Sequence, residues 1–139
     1  MKIVQPILSS FLCAILLLAM AQCGSDSGTT APPPEAPQIL NLTVTPETIC
    51  VGTAADVSFD LLDPNQDEIR WTAKLSTKIH GILEKTEGTN LSGSHLQFRF
   101  KAATSGRHRH TVTLSVSAQD SNGLQAKTAE FDFFVFNCF

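Results

Sequence analysis

The sequence predicts an all-β domain, a single antiparallel β-sandwich of about seven strands. Three observations carry this. From Ile39 onward, apolar residues recur at every second position in short runs, the period of a strand with one buried face. Turn residues separate the runs, and no stretch keeps a helical period. The chain has 9 Phe and 1 Trp but only 17% charged residues, which suits a packed β domain and not a disordered one. A chain of 139 residues is long enough for one such core. Its net charge of −3 argues against a general nucleic-acid binder.

The elements follow in order. Met1 and Lys2 make a positive start, and Ile7 to Met20 is apolar apart from Ser9 and Ser10. That length fits a signal-peptide core, whereas a spanning helix needs ~20 apolar residues. Residues 1–22 are therefore read as a signal peptide, 23–38 as a tether and 39–139 as the sandwich. The tether opens with Gly24-Ser25-Asp26-Ser27-Gly28-Thr29-Thr30, a flexible polar coil. Ala31-Pro32-Pro33-Pro34-Glu35-Ala36-Pro37 then makes a stiffer, extended half.

In the domain, Leu40, Leu42 and Val44 alternate with polar residues until Pro46, and Ile49 with Val51 makes a short second run. Val57, Phe59 and Leu61 form the next strand, closed by Asp63-Pro64-Asn65-Gln66-Asp67, a strong turn cluster. Ile69, Trp71, Ala73 and Leu75 follow. A weakly patterned stretch leads to Leu96, Phe98 and Phe100, then to Val112, Leu114, Val116 and Ala118. Asp120-Ser121-Asn122-Gly123 is a hairpin turn, and the last strand runs from about Gln125 to Phe136. The inward set is Val57, Phe59, Leu61, Ile69, Trp71, Leu75, Leu96, Phe98, Phe100, Val112, Leu114, Val116, Phe131, Phe133 and Val135.

Two processing readings compete at the end of the apolar run. Ala19-Met20-Ala21 is a small-x-small site that would be cut before Gln22, releasing a secreted domain. Met20-Ala21-Gln22-Cys23 resembles the lipobox of bacterial lipoproteins, with Ala21 and Cys23 matching and Gln22 departing from the small residue expected there. That resemblance implies a lipidated, N-terminal Cys23 and a membrane anchor. It also implies an outer-membrane or surface location, because Gly24 and not Asp follows the cysteine; the periplasm is the alternative. Of the 4 cysteines, Cys13 falls in the signal peptide and Cys23 at the lipid site, leaving Cys50 and Cys138. In an exported, oxidising compartment these two are expected to form a disulfide between the first and last edge elements.

Val57 to Asp67 with Ile69-Arg70-Trp71, and Val112 to Gly123, resemble the corresponding strands of bacterial immunoglobulin-like and PKD-type modules. The resemblance implies an immunoglobulin-like fold and an adhesion or binding context, not an activity.

Candidate chemistry is sparse. Arg107-His108-Arg109-His110 is the densest basic cluster. His108 and His110 share a strand face at a chelating spacing, but a solvated loop is the plainer reading. Arg107 and Arg109 make a patch for an anionic partner. Asp60, Asp63, Asn65, Asp67 and Glu68 crowd oxygen ligands around one loop. An EF-hand is excluded, because Glu68 and Lys74 stand where that loop needs glycine and a bidentate acid. A looser inter-strand calcium site at Asp63, Asn65 and Asp67 competes with a polar turn, and the turn is preferred. Phe134, Phe136 and Phe139 give the outer side of the last strand an aromatic character that can mark an interface. No nucleophile elbow, phosphate loop or paired-acid arrangement appears.

The sequence is thus read as a lipid-anchored envelope protein whose one domain is a binding module for an unidentified envelope protein or glycan. It is read as no enzyme, and as needing no cofactor or metal. A passive accessory subunit of an envelope assembly is the alternative.

Overall fold

The alternation becomes nine strands in the computed structural model, which describes residues 33–103 and 108–138. They are β1 (Gln38–Thr45), β2 (Thr48–Cys50), β3 (Ala54–Leu62), β4 (Glu68–Leu75), β5 (Gly81–Leu83), β6 (Glu87–Leu91), β7 (Ser94–Ala102), β8 (His110–Asp120) and β9 (Ala129–Phe136). They form a four-stranded sheet in the order β1-β3-β7-β5 and a five-stranded sheet in the order β2-β9-β8-β4-β6. Every pairing is antiparallel except β2 with β9. Pro46 ends β1, and two residues later β2 begins in the other sheet.

The inward faces interdigitate as the period-two pattern requires. Val57, Phe59 and Leu61 from β3 and Phe98 and Phe100 from β7 meet Ile69 and Trp71 from β4, and Val112, Leu114 and Val116 from β8. Trp71 sits at the centre. It packs edge-on against Phe59 at 5.3 Å and stacks on Phe98 at 5.7 Å between ring centroids. Phe100 meets Phe133 edge-on at 4.8 Å. Such pairs favour these geometries because the ring edge is positive and the face negative.

Four expectations change in detail. Two extra strands, β5 and β6, arise in the weakly patterned stretch. At Gly81, Gly88 and Asn90 an aromatic ring from a neighbouring strand already fills the inward space, and Leu83 of β5 is the one large apolar residue these strands pack, partly buried, against the core. Gly81 of β5 lies against the Phe100 ring, and Gly88 and Asn90 of β6 lie against the Trp71 indole. In β1 the register shifts between Leu40 and Thr43, where Asn41 takes a positive φ of 54°. The irregularity turns Leu40 outward and leaves Val44 as that strand's deeply buried residue. Leu75 and Phe131 are only partly buried, at the margin of the core. The last strand starts at Ala129, because residues 121–128 form the turn and an irregular return touching β8 through Gln125 and Ala126.

Candidate functional site

The outer face of the four-stranded sheet is a ladder of polar pairs set by register. β3 presents Asp56, Ser58 and Asp60 opposite Arg99, Gln97 and His95 of β7. Arg99 pairs with Asp56 at 3.7 Å and Lys101 with Glu84 at 3.4 Å, both well exposed, so each adds little to stability. Asp60 accepts hydrogen bonds from the Asn41 amide at 2.6 Å and from His95 Nδ1 at 2.6 Å. The Asn41 bond first, and then His95, hold the Asp60 carboxyl below its ordinary value of 3.8. A carboxylate whose folded value is depressed stabilises the fold above its unfolded value, and that contribution fades as pH falls through the folded one. Here the window therefore lies below about pH 4. In an NMR carboxyl titration, Asp60 is expected to titrate below 3.8 and to move upward in Asn41→Gly. Glycine keeps the positive φ of that position while removing the amide. An unmoved midpoint would remove Asn41 as the cause.

The outer face of the five-stranded sheet holds the aromatic candidates. Phe133 and Val135 of β9 are buried, whereas Phe134 and Phe136 are half-buried on the opposite side. The Arg109 guanidinium lies 3.5 Å from the centroid of the Phe134 ring, a cation–π contact. Arg109 itself is exposed. Next to these rings β8 presents Thr111, Thr113 and Ser115; Thr113 donates to Asp132 at 2.6 Å and Ser115 to Glu130 at 3.3 Å. β2 lies along the edge of β9, pairing Thr48 with Phe134 and Cys50 with Phe136. The disulfide forms as expected: Cys50 and Cys138 are bonded, with their Cα atoms 5.5 Å apart.

Cys23, Arg107 and Phe139 lie outside the described residues. His110 opens β8 and its ring stacks on His80 with centroids 4.3 Å apart, while His108 precedes the strand. Among the described residues neither histidine belongs to a group of three metal-binding side chains. A groove of about 520 Å³ beside β4, lined in part by Lys74, Leu75, Lys78, Ile82 and Glu87, touches none of the candidate residues.

The oxygen-rich loop separates into parts. Asp60 belongs to the outer polar ladder. Asn65 is taken up by the preceding segment, its Oδ1 accepting the Glu35 N–H at 2.7 Å. Asp63 and Asp67 do come together, and Asp120 joins them across the sandwich end. One carboxylate oxygen of each lies within 4.8 Å of the others. Asp63 is 1% exposed and Asp120 6% exposed. Asp120 is the residue that motif spacing missed, and strand parity carries its signal. It falls one step beyond Ala118 on the inward side of β8, as Asp63 falls one step beyond Leu61 on the inward side of β3.

No family model and no curated protein matches the chain. Among solved structures it is similar to the PKD domain of an M14-like peptidase from a Thermoplasmatales archaeon, at 22% identity and a TM-score of 0.61, covering 75% of this chain and 99% of that one. It is also similar to an ASH/PapD-like domain of human CEP192, at 13% identity and a TM-score of 0.54, covering 78% and 89% of the two chains. At these identities the likeness bears on the fold, which is an immunoglobulin-like β-sandwich.

Proposed function

We propose that this chain is an exported envelope protein, held on a membrane through a lipidated Cys23, that presents its immunoglobulin-like domain as an interaction module. The observation that carries the binding reading is the outer face of β9. There Phe134 and Phe136 stand half-buried beside Arg109, with Thr111, Thr113 and Ser115 of β8 and Glu130 and Asp132 of β9 as their outward neighbours. Aromatic residues and Arg are enriched at protein interfaces because each buries a large area, the aromatics at small entropic cost. The Cys50–Cys138 bond supports export, since such bonds persist in oxidising compartments. The lipobox-like Ala21-Gln22-Cys23 and the polar stretch after it support anchoring. The expected partner is an envelope protein or glycan.

Crosslinking in intact cells followed by purification tests the module. Phe134→Ser with Phe136→Ser is expected to abolish co-purification of the partner while the domain still folds. Unchanged co-purification would sink the assignment of this face. The intact mass of the protein from membranes tests the anchor: an acylated Cys23 start supports it, and an unmodified Gln22 start makes the domain a freely secreted one.

A further inference from the structure

We infer that Asp63, Asp67 and Asp120 form a calcium-binding site that joins the β3–β4 loop to the β8–β9 turn at one end of the sandwich. The inference stands apart from the anchor and from the aromatic face. It begins with an imbalance of charge. Two aspartates are almost wholly withdrawn from water and a third lies against them. A buried carboxylate is costly unless charge or hydrogen bonds compensate it. Among the described residues no Lys, Arg or His forms an ion pair with any of the three; the ion pairs there involve Asp60, Asp56 and Glu84.

The hydrogen bonds orient the carboxylates without satisfying them. Asp63 Oδ1 accepts the N–H of Asn65 at 2.8 Å and of Asp67 at 3.3 Å. Asp120 Oδ1 accepts the N–H of Leu124 at 2.7 Å. Asp67 Oδ2 accepts from Asn122 Nδ2 at 2.6 Å. Ser92, in the β6–β7 turn, fixes the Asp63 backbone by accepting its N–H at 2.8 Å and donating to its carbonyl at 3.0 Å. Asp63 Oδ2 and Asp120 Oδ2 are left buried and without any hydrogen-bond partner. Buried polar atoms in this state call for an ion or water.

The chemistry of the donors selects the ion. All three are hard carboxylate oxygens, which suit calcium, whereas zinc and other softer metals favour nitrogen and sulfur. Two oxygens bound to one calcium at 2.3–2.6 Å can be at most ~5 Å apart, and the three oxygens here fall within 4.8 Å. The ligands come from the irregular β3–β4 loop and from the end of β8, an arrangement that calcium tolerates and near-ideal octahedral magnesium does not.

The test uses the full-length protein in detergent, stripped with a chelator and titrated with CaCl₂ by calorimetry and by thermal unfolding. One saturable site is expected, with a Kd of about 10⁻⁴–10⁻³ M, as in extracellular calcium modules. The unfolding midpoint should rise with CaCl₂, because the ion binds only the folded state. Asp120→Asn keeps the acceptor for Leu124 and removes the charge. It is expected to weaken calcium roughly tenfold or more, while the calcium-free variant unfolds no earlier than the parent, since an uncompensated buried charge is gone. Asp67→Asn, at a less buried position, should show the same weakening should Asp120→Asn not fold. Absence of binding by the parent protein up to about 10 mM CaCl₂, or calcium binding undiminished in both variants, would overturn the site. Equal binding of MgCl₂ would overturn its assignment to calcium.

Discussion

Replacing both Cys50 and Cys138 with Ala is expected to lower the stability of the domain by about 2–4 kcal/mol. For a domain of about 100 residues this corresponds to a fall of roughly 10–25 °C in Tm. The two cysteines are 88 residues apart in sequence, and β3 to β9 lie entirely inside the loop they close. In the unfolded chain the bond therefore removes a large share of the freedom that folding must overcome; the chain-entropy model places the gain near the top of the usual range, and measured values commonly fall below it. The native state also depends on the bond locally. β2 has only three residues paired with β9, helped by Val51 N–H to the Phe136 carbonyl at 3.0 Å and Phe134 N–H to the Glu47 carbonyl at 2.8 Å. Without the bond these amides should exchange with solvent before those of β3 or β8, because short edge pairings open first. Thermal unfolding and hydrogen exchange of the double variant measure both effects. An unchanged Tm, with β2 and the end of β9 as protected as before, would show that the bond only decorates an already closed edge. Both residues are replaced together so that no free thiol remains to form intermolecular bridges.

The fold was legible wherever apolar residues supplied the alternation. β3, β4, β7 and β8 carry Val, Phe, Leu, Ile or Trp inward at successive alternate positions, and their faces follow from parity alone. β5 and β6 were not legible, because the rings of Phe100 and Trp71 fill the space at Gly81, Gly88 and Asn90, and Leu83 alone makes no alternating run. Periodicity reads residues that fill space, and it is silent where a neighbour fills it. The shift at Asn41 escapes for another reason: a positive φ is compatible with Asn in many turns, and nothing local marks this one as part of a strand. The disulfide was legible from compartment and count. The acidic cluster was half legible. Asp63 and Asp67 share one loop, but Asp120 is distant in sequence, and only the packing of two sheets brings it near. Its inward parity on β8 was the available signal, masked by its second identity as the first residue of a turn.

Trp71→Ala is expected to destabilise the domain by about 3–5 kcal/mol, the usual cost of removing a buried large aromatic side chain. Trp71 is 2% exposed, and its indole reaches from the five-stranded sheet to Phe59 and Phe98 of the four-stranded one. Its Nε1–H donates to Asn90 Oδ1 at 2.9 Å, which fixes β6 at the sheet edge. Loss of the ring alone should therefore also loosen β6. A narrower experiment separates this from general loss of packing. A Cβ placed on Gly88 would lie 2.8 Å from Trp71 Nε1 and 3.0 Å from Cε2 and Cζ2. Gly88→Ala should thus cost about 1–3 kcal/mol through overpacking. Trp71→Phe removes those atoms, so the two changes together should cost less than the sum of the separate ones. A coupling of at least about 0.5 kcal/mol in the double-mutant cycle is the expected sign of direct contact. Strict additivity in urea unfolding would mean that β6 can move away from the ring freely. The glycine would then owe its place to the backbone of β6 and not to the tryptophan at the centre of the core.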